Sequence, residues 1–179
     1  MKKFLILFLF VLAGNSFLFP QKIYKTIPNP VEGIEWGMSY DDVTDERDDL
    51  RELNSSVCYE DAINDGRSER IFYHFKNNQL YMIAVFYEDY SMNYIKDFEK
   101  IEKEKIFEEY GRREWNYEWI KDQYKGKPDM YELAVKFKEL VISTTTELMG
   151  GKIIHSLAND GDENEIQHSL IYVSTDYSE

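Results

Sequence analysis

Residues Glu69 to Tyr87 read ERIFYHFKNNQLYMIAVFY, and this stretch decides the fold. From Glu69 to Lys76 polar and apolar residues alternate, with Ile71, Tyr73 and Phe75 on one side. That period of two is the mark of a half-buried strand. Asn77 and Asn78 can take the positive φ angles of a tight turn. The chain then returns with Leu80, Met82, Ala84 and Phe86 on one face and Tyr81, Ile83, Val85 and Tyr87 on the other. A strand apolar on both faces belongs in the interior of a sheet, so the stretch predicts a hairpin whose second strand is central.

Toward the C-terminus, three further strands are expected over 140–147, 152–158 and 166–174. Met149-Gly150-Gly151 would join the first two, and the run Asn159 to Asn164 the last two. A short strand is expected at Val57 to Tyr59. Between these lie helical spacings. Ser39 followed by Asp42 resembles a capping box, and Val43, Leu50 and Leu53 share one helical face, so a helix is expected over 40–53. Tyr94, Phe98 and Ile101 predict a helix over 91–110, stopped by Gly111. Trp115 and Trp119, four apart, suggest a helix over 114–123. Met130, Leu133, Ala134 and Phe137 behind Pro128 suggest another over 129–139. Pro20, Pro28 and Pro30 make 17–36 an extended lead-in, with at most an edge strand near Ile23 to Ile27. With no linker or repeat in view, residues 37–179 are expected to form one α+β domain. Its antiparallel sheet would have about five to six strands, with helices packed mainly on one face.

The N-terminus is an address. Met1-Lys2-Lys3 precedes a ten-residue apolar run, Phe4 to Ala13, and small residues follow. That is the pattern of a secretory signal peptide over 1–16, with Gly14 and Ser16 suited to the cleavage site. A spanning helix needs about 20 apolar residues. The apolar stretch resumes at Phe17 to Phe19, which an uncleaved anchor would use. The expectation is an exported protein, periplasmic or extracellular, with no transmembrane segment after cleavage. The chain carries 34 acidic and 21 basic residues, a net charge of −13. Such a balance argues against a nucleic acid or an anionic lipid surface as the main partner.

Three segments carry a resemblance. Gly33 to Val43 reads GIEWGMSYDDV, Arg70 to Tyr87 gives paired strands led by an aromatic strand, and Glu109 to Trp115 reads EYGRREW. Together they resemble the BamE-like (SmpA/OmlA-type) envelope proteins and the related β-lactamase-inhibitor-protein-like fold. The resemblance covers about half of the chain beyond the leader. It implies a binding or assembly module and transfers no active-site residue. BamE-like proteins carry a lipobox cysteine, and this chain has none.

Few motifs carry chemistry. The chain has one cysteine, Cys58, which excludes an internal disulfide and a four-cysteine zinc site. No G-x-S-x-G elbow and no phosphate loop occurs. Asp160, Asp162 and Asn164 lack the glycine and the terminal glutamate of an EF-hand. The sequence His-Ser-Leu recurs at His155 and His168. A hairpin symmetric about Gly161-Asp162 opposes residues whose numbers sum to 323, which sets His155 directly against His168. Their β-carbons would be about 4.5 to 5.5 Å apart, within reach of one zinc or copper ion. A one-residue slip would put the rings on opposite faces. Of the aromatic residues, Tyr73, Tyr81 and Tyr87 on an uncovered sheet face, with Trp36, are the candidates for partner binding.

The sequence therefore predicts an exported, non-catalytic module without a cofactor that binds a protein or peptide partner in the bacterial cell envelope. The alternatives are a small secreted metal-dependent hydrolase or metal-binding protein using His155 and His168, and a protein with a pocket for an apolar ligand.

Overall fold

The structure, a computed structural model, describes residues 26–64, 66–87, 94–111, 113–159 and 166–178. The leader 1–16, the lead-in up to residue 25 and the acidic run 160–165 lie outside the described residues. From the N-terminus the elements are helix α1 (Tyr40–Glu46) and strands β1 (Arg51–Asn54), β2 (Val57–Asn64), β3 (Arg67–Lys76) and β4 (Gln79–Tyr87). Helix α2 (Tyr94–Ile101) runs on through a π-helical segment, Glu102–Phe107, and a last turn, Glu108–Tyr110. Strand β5 (Asn116–Trp119), helix α3 (Tyr131–Lys136) and strands β6 (Leu140–Leu148), β7 (Gly151–Ala158) and β8 (Gln167–Ser174) follow.

The strands form one antiparallel sheet in the order β1-β2-β3-β4-β8-β7-β6-β5. The α+β class is as expected, but the sheet has eight strands, not five to six. The two additional strands lie where helices were expected. Helix α1 stops at Glu46, because Arg47 turns extended (φ −131, ψ 113) and sends its guanidinium to Glu60 on β2. The residues after it form β1, whose four positions are all exposed. The expected helix at 114–123 is β5, paired with β6. Trp115 and Trp119 are four apart, a spacing that fits both a helical face and one side of a strand, so periodicity alone chose wrongly.

The hairpin is as read. Asn77 and Asn78 have φ angles of 52 and 59 between β3 and β4, and β4 lies inside the sheet between β3 and β8. Burial alternates along β3, β6 and β7. Ile71, Tyr73 and Phe75 on β3, Ile83 and Val85 on β4, Leu170 and Tyr172 on β8, and Ile153 on β7 form one core cluster with Val43 of α1 and with Ile101 and Ile106 of the α2 segment. Phe98 of α2 closes a second cluster with Ala134, Val135, Leu140, Ile142 and Leu157. The lead-in is tied to the hairpin by Gly37 N–H to Leu80 O (2.9 Å) and Leu80 N–H to Met38 O (2.8 Å). Gly37 has φ 84, and a Cβ there would come within 2.6 Å of the Tyr177 ring, so a larger residue would have to displace that ring and hold a strained φ.

A carboxylate sits in this core. Glu60 is 5% exposed on β2. Arg47 grips both its oxygens at 2.8 to 3.2 Å, and the Tyr73 hydroxyl donates to Oε1 at 2.6 Å. Removing one partner of a buried pair leaves an uncompensated charge. Arg47→Ala should therefore lower unfolding free energy by about 2 kcal/mol, less than a fully buried pair because Arg47 is partly exposed. The double variant Arg47→Ala/Glu60→Gln should recover part of that loss. Urea titration of the variants checks both, and an unchanged midpoint in Arg47→Ala would contradict the assignment.

Candidate functional site

The second polar cluster lies on the core face of β6, β7 and β8. Thr144 on β6 stands directly opposite His155 on β7. His168 on β8 pairs with Leu157, and His155 pairs with Leu170. Opposed numbers thus sum to 325, two more than a symmetric loop would give. A shift of two keeps both histidines on one face but makes them diagonal neighbours instead of an opposed pair. The rings still meet, with His155 Nε2 and His168 Nε2 2.7 Å apart and ring centroids at 4.9 Å. Each histidine is 1% exposed.

Helix α2 supplies what periodicity missed. Glu102 follows Phe98 by four residues, so it continues the apolar stripe into the core, where it is 7% exposed. Its Oε2 accepts from His155 Nδ1–H at 2.6 Å and from Thr144 Oγ1–H at 3.0 Å. The Phe98 ring lies flat on His155, at 3.9 Å between centroids and 4° between planes. With Nδ1–H committed to Glu102, neutral His155 presents a bare Nε2, which accepts from Nε2–H of His168. This tautomer assignment follows from the network. The Tyr87 ring borders His168 at 5.0 Å. Glu102 opens the π-helical segment, and such segments occur often at functional sites.

A sulfur or metal chemistry finds less here. Two imidazoles on one tetrahedral zinc would hold their nitrogens about 3.3 Å apart, and 2.7 Å is a hydrogen-bond separation. Among the described residues no group of three histidine, cysteine, aspartate or glutamate side chains is placed to hold a metal ion. Cys58 is buried, and burial pushes its thiol up to about 11, away from nucleophilic reactivity.

Beside the cluster an open groove of about 890 Å³ runs between the α2 segment and the approach to β5. It is lined by Glu99, Glu102, Lys103, Phe107, Arg113, Glu114, Trp115 and Tyr117. Set against family models, curated proteins and solved structures, the chain matches none.

The tyrosines expected on an uncovered face do not form one. Tyr73 is fully buried and Tyr87 is 3% exposed, because both fall on the core side of the alternation. Tyr81 is half-buried and is the extra residue of a bulge, since His74 pairs with Met82 and Phe75 with Leu80. Trp36 is partly buried against the first core cluster. The aromatic residues of the other face are Tyr59, Phe72 and Phe86, with His74 beside them, all half-buried. Tyr59 stacks on Phe72 at 5.5 Å, and Phe72 meets Phe86 edge-on at 5.3 Å. Arg51 and Arg70 lie over the Tyr59 ring and both pair with Asp61. The alternation at 69–76 already put Phe72 opposite Tyr73; what it could not tell was which of the two faces is covered.

Burial lowers the pKa of all three histidines, His74, His155 and His168; for His155 the neighbouring Glu102 pulls the other way, and for His168 both His155 and Arg67 add to the lowering. Below the ordinary histidine value of 6.5 the unfolded chain takes up protons that the folded chain does not. Stability is therefore full above that pH and is lost as pH falls through it. Between pH 7 and pH 5 the loss should be about 2 kcal/mol for each histidine that stays neutral in the fold. Urea midpoints across that window check this, and His155→Gln/His168→Gln should remove most of the slope. A wild-type midpoint that holds constant from pH 7 to pH 5 would contradict the buried, neutral pair.

Proposed function

We propose that this protein is an exported module that binds a protein or peptide partner in the bacterial cell envelope through the sheet face opposite its core. The observation that carries this reading is the ring chain Tyr59, Phe72 and Phe86, half-buried on a face whose neighbours include Met82, Ile171, Val173 and Ile154. Aromatic residues in such a patch supply large contact area at low entropic cost. The Arg51–Asp61–Arg70 cluster holds Tyr59 in place before a partner arrives. On this reading the helices pack mainly on the core face and leave the aromatic face for docking. The signal-peptide pattern at 1–16 supports export, and the resemblance of Gly33 to Val43 to BamE-like proteins supports an envelope assembly role. A photo-activatable side chain at position 72 or 86, introduced in the cells that make the protein, should give a discrete protein adduct. The same probe at the exposed Glu118 should not. Identical adducts at all three positions would overturn the reading.

A metal-dependent function is the second reading, and the meeting of His155 and His168 favours it. It requires the rings to part by about 0.6 Å and further ligands to come from outside the described residues. Elemental mass spectrometry of the untagged protein from an envelope extract decides it. Near-stoichiometric zinc or copper, lost in His155→Ala, would replace the binding reading, whereas metal below about a tenth of an ion per chain would end this one. An apolar-ligand pocket fits poorly with the groove beside α2, whose walls carry three carboxylates and two cationic side chains.

A further inference from the structure

The carboxylate of Glu102 is only half used. Thr144 and His155 both donate to Oε2, while Oε1 is shielded from solvent and has no hydrogen-bond partner. A buried acceptor left in this state costs free energy, so such an atom calls for a donor from a water, an ion or a ligand. Glu102 also forms part of the groove wall, and it sits where the helix departs from α-geometry. The groove adds two more carboxylates, Glu99 and Glu114, and three aromatic walls, Phe107, Trp115 and Tyr117.

We propose that this groove is a binding site for a primary alkylammonium group, held by the carboxylates of Glu99, Glu102 and Glu114. A carboxylate oxygen can only accept, so an anion is the wrong occupant. A metal ion is disfavoured because no three ligating groups converge among the described residues. An ammonium brings three donors, and aromatic faces attract it through their quadrupoles. The two cationic side chains in the wall do not fill the role. Arg113 directs its Nε to Thr146 Oγ1 at 3.2 Å, and Lys103 is exposed. The alkylammonium chemistry has two sources, a free amine or the lysine side chain of a peptide. None of these residues lies on the aromatic sheet face, so the site stands independently of the docking reading above.

The test is titration of the purified protein, followed by amide chemical shifts, with 1,5-diaminopentane, with Nα-acetyl-lysine methylamide and with its uncharged norleucine isostere. Either amine should saturate at about millimolar or tighter concentration, with shifts centred on residues 99–117. Tighter binding of the diamine assigns a free amine, and tighter binding of the lysine amide assigns a peptide side chain. Glu102→Gln should weaken binding at least tenfold. Because that substitution also touches His155, Glu114→Gln, which lies outside the buried network, serves as a second variant and should weaken binding about threefold. Saturation by norleucine amide as strong as by lysine amide, no saturation by either amine, or wild-type affinity in both variants would overturn the site.

Discussion

The ladder between β4 and β8 is the pairing on which the rest of the sheet depends. Met82 to Tyr87 lies against Val173 to His168, and it is the one ladder among the described strands that joins the group β1 to β4 to the group β5 to β8. Its partners are 81 to 91 residues apart in the chain, so the entropy of closing that loop falls on this single contact. Register here fixes register everywhere. Tyr87 opposite His168 places both on the core side, and from there the alternation carries through β7 to Thr144 on β6. A slip of one residue would turn His168 outward and leave Glu102 facing a single ring. Pairing at this sequence distance also implies slower folding than the local hairpin of β3 and β4 would suggest.

What could be read in advance follows from how local the signal was. The hairpin at Glu69 to Tyr87, the asparagine turn, Gly111 as a helix stop and the three C-terminal strands were legible because each rests on neighbours within a few residues. Strands β1 and β5 were not. Each has four residues, β1 has no buried side and β5 is largely exposed, so neither leaves an alternation to detect. Which face of the sheet is covered was equally hidden, because Ile71, Tyr73 and Phe75 are no more apolar than Phe72 and Phe86. Only the packing of Val43, Ile101 and Ile106 on the first set decides it. The histidine pair was half legible. Its shared face came from the repeat of His-Ser-Leu, but the two-residue offset depends on the length of the connecting loop, and Glu102 belongs to a helix more than fifty positions away.

The polar row in the core has a physical logic of its own. Thr144, Glu102, His155 and His168 replace apolar contacts that would be at least as stabilising, since buried charged and polar groups rarely gain over a well-packed apolar core. What they add is direction. Hydrogen bonds of 2.6 to 3.0 Å accept few geometries, so they hold α2 at one rotation and one height over β7. The π-helical segment is consistent with that constraint. An inserted residue in the helix lets Glu102 keep its bonds while Ile101 and Ile106 both remain buried on either side of it.

The short ends of the sheet have a consequence for many copies of this chain living together. A sheet eight strands wide exposes two edges, and an open edge is a template on which another chain can extend the ladder. Both edges here are four-residue strands, β1 with Arg51 and Glu52 and β5 with Glu118. The long, apolar strands β4 and β8 lie at the centre, where their backbone groups are already paired. A neighbouring molecule therefore meets brief, charged rims, and the most adhesive segments of the chain are kept out of reach of fibre growth.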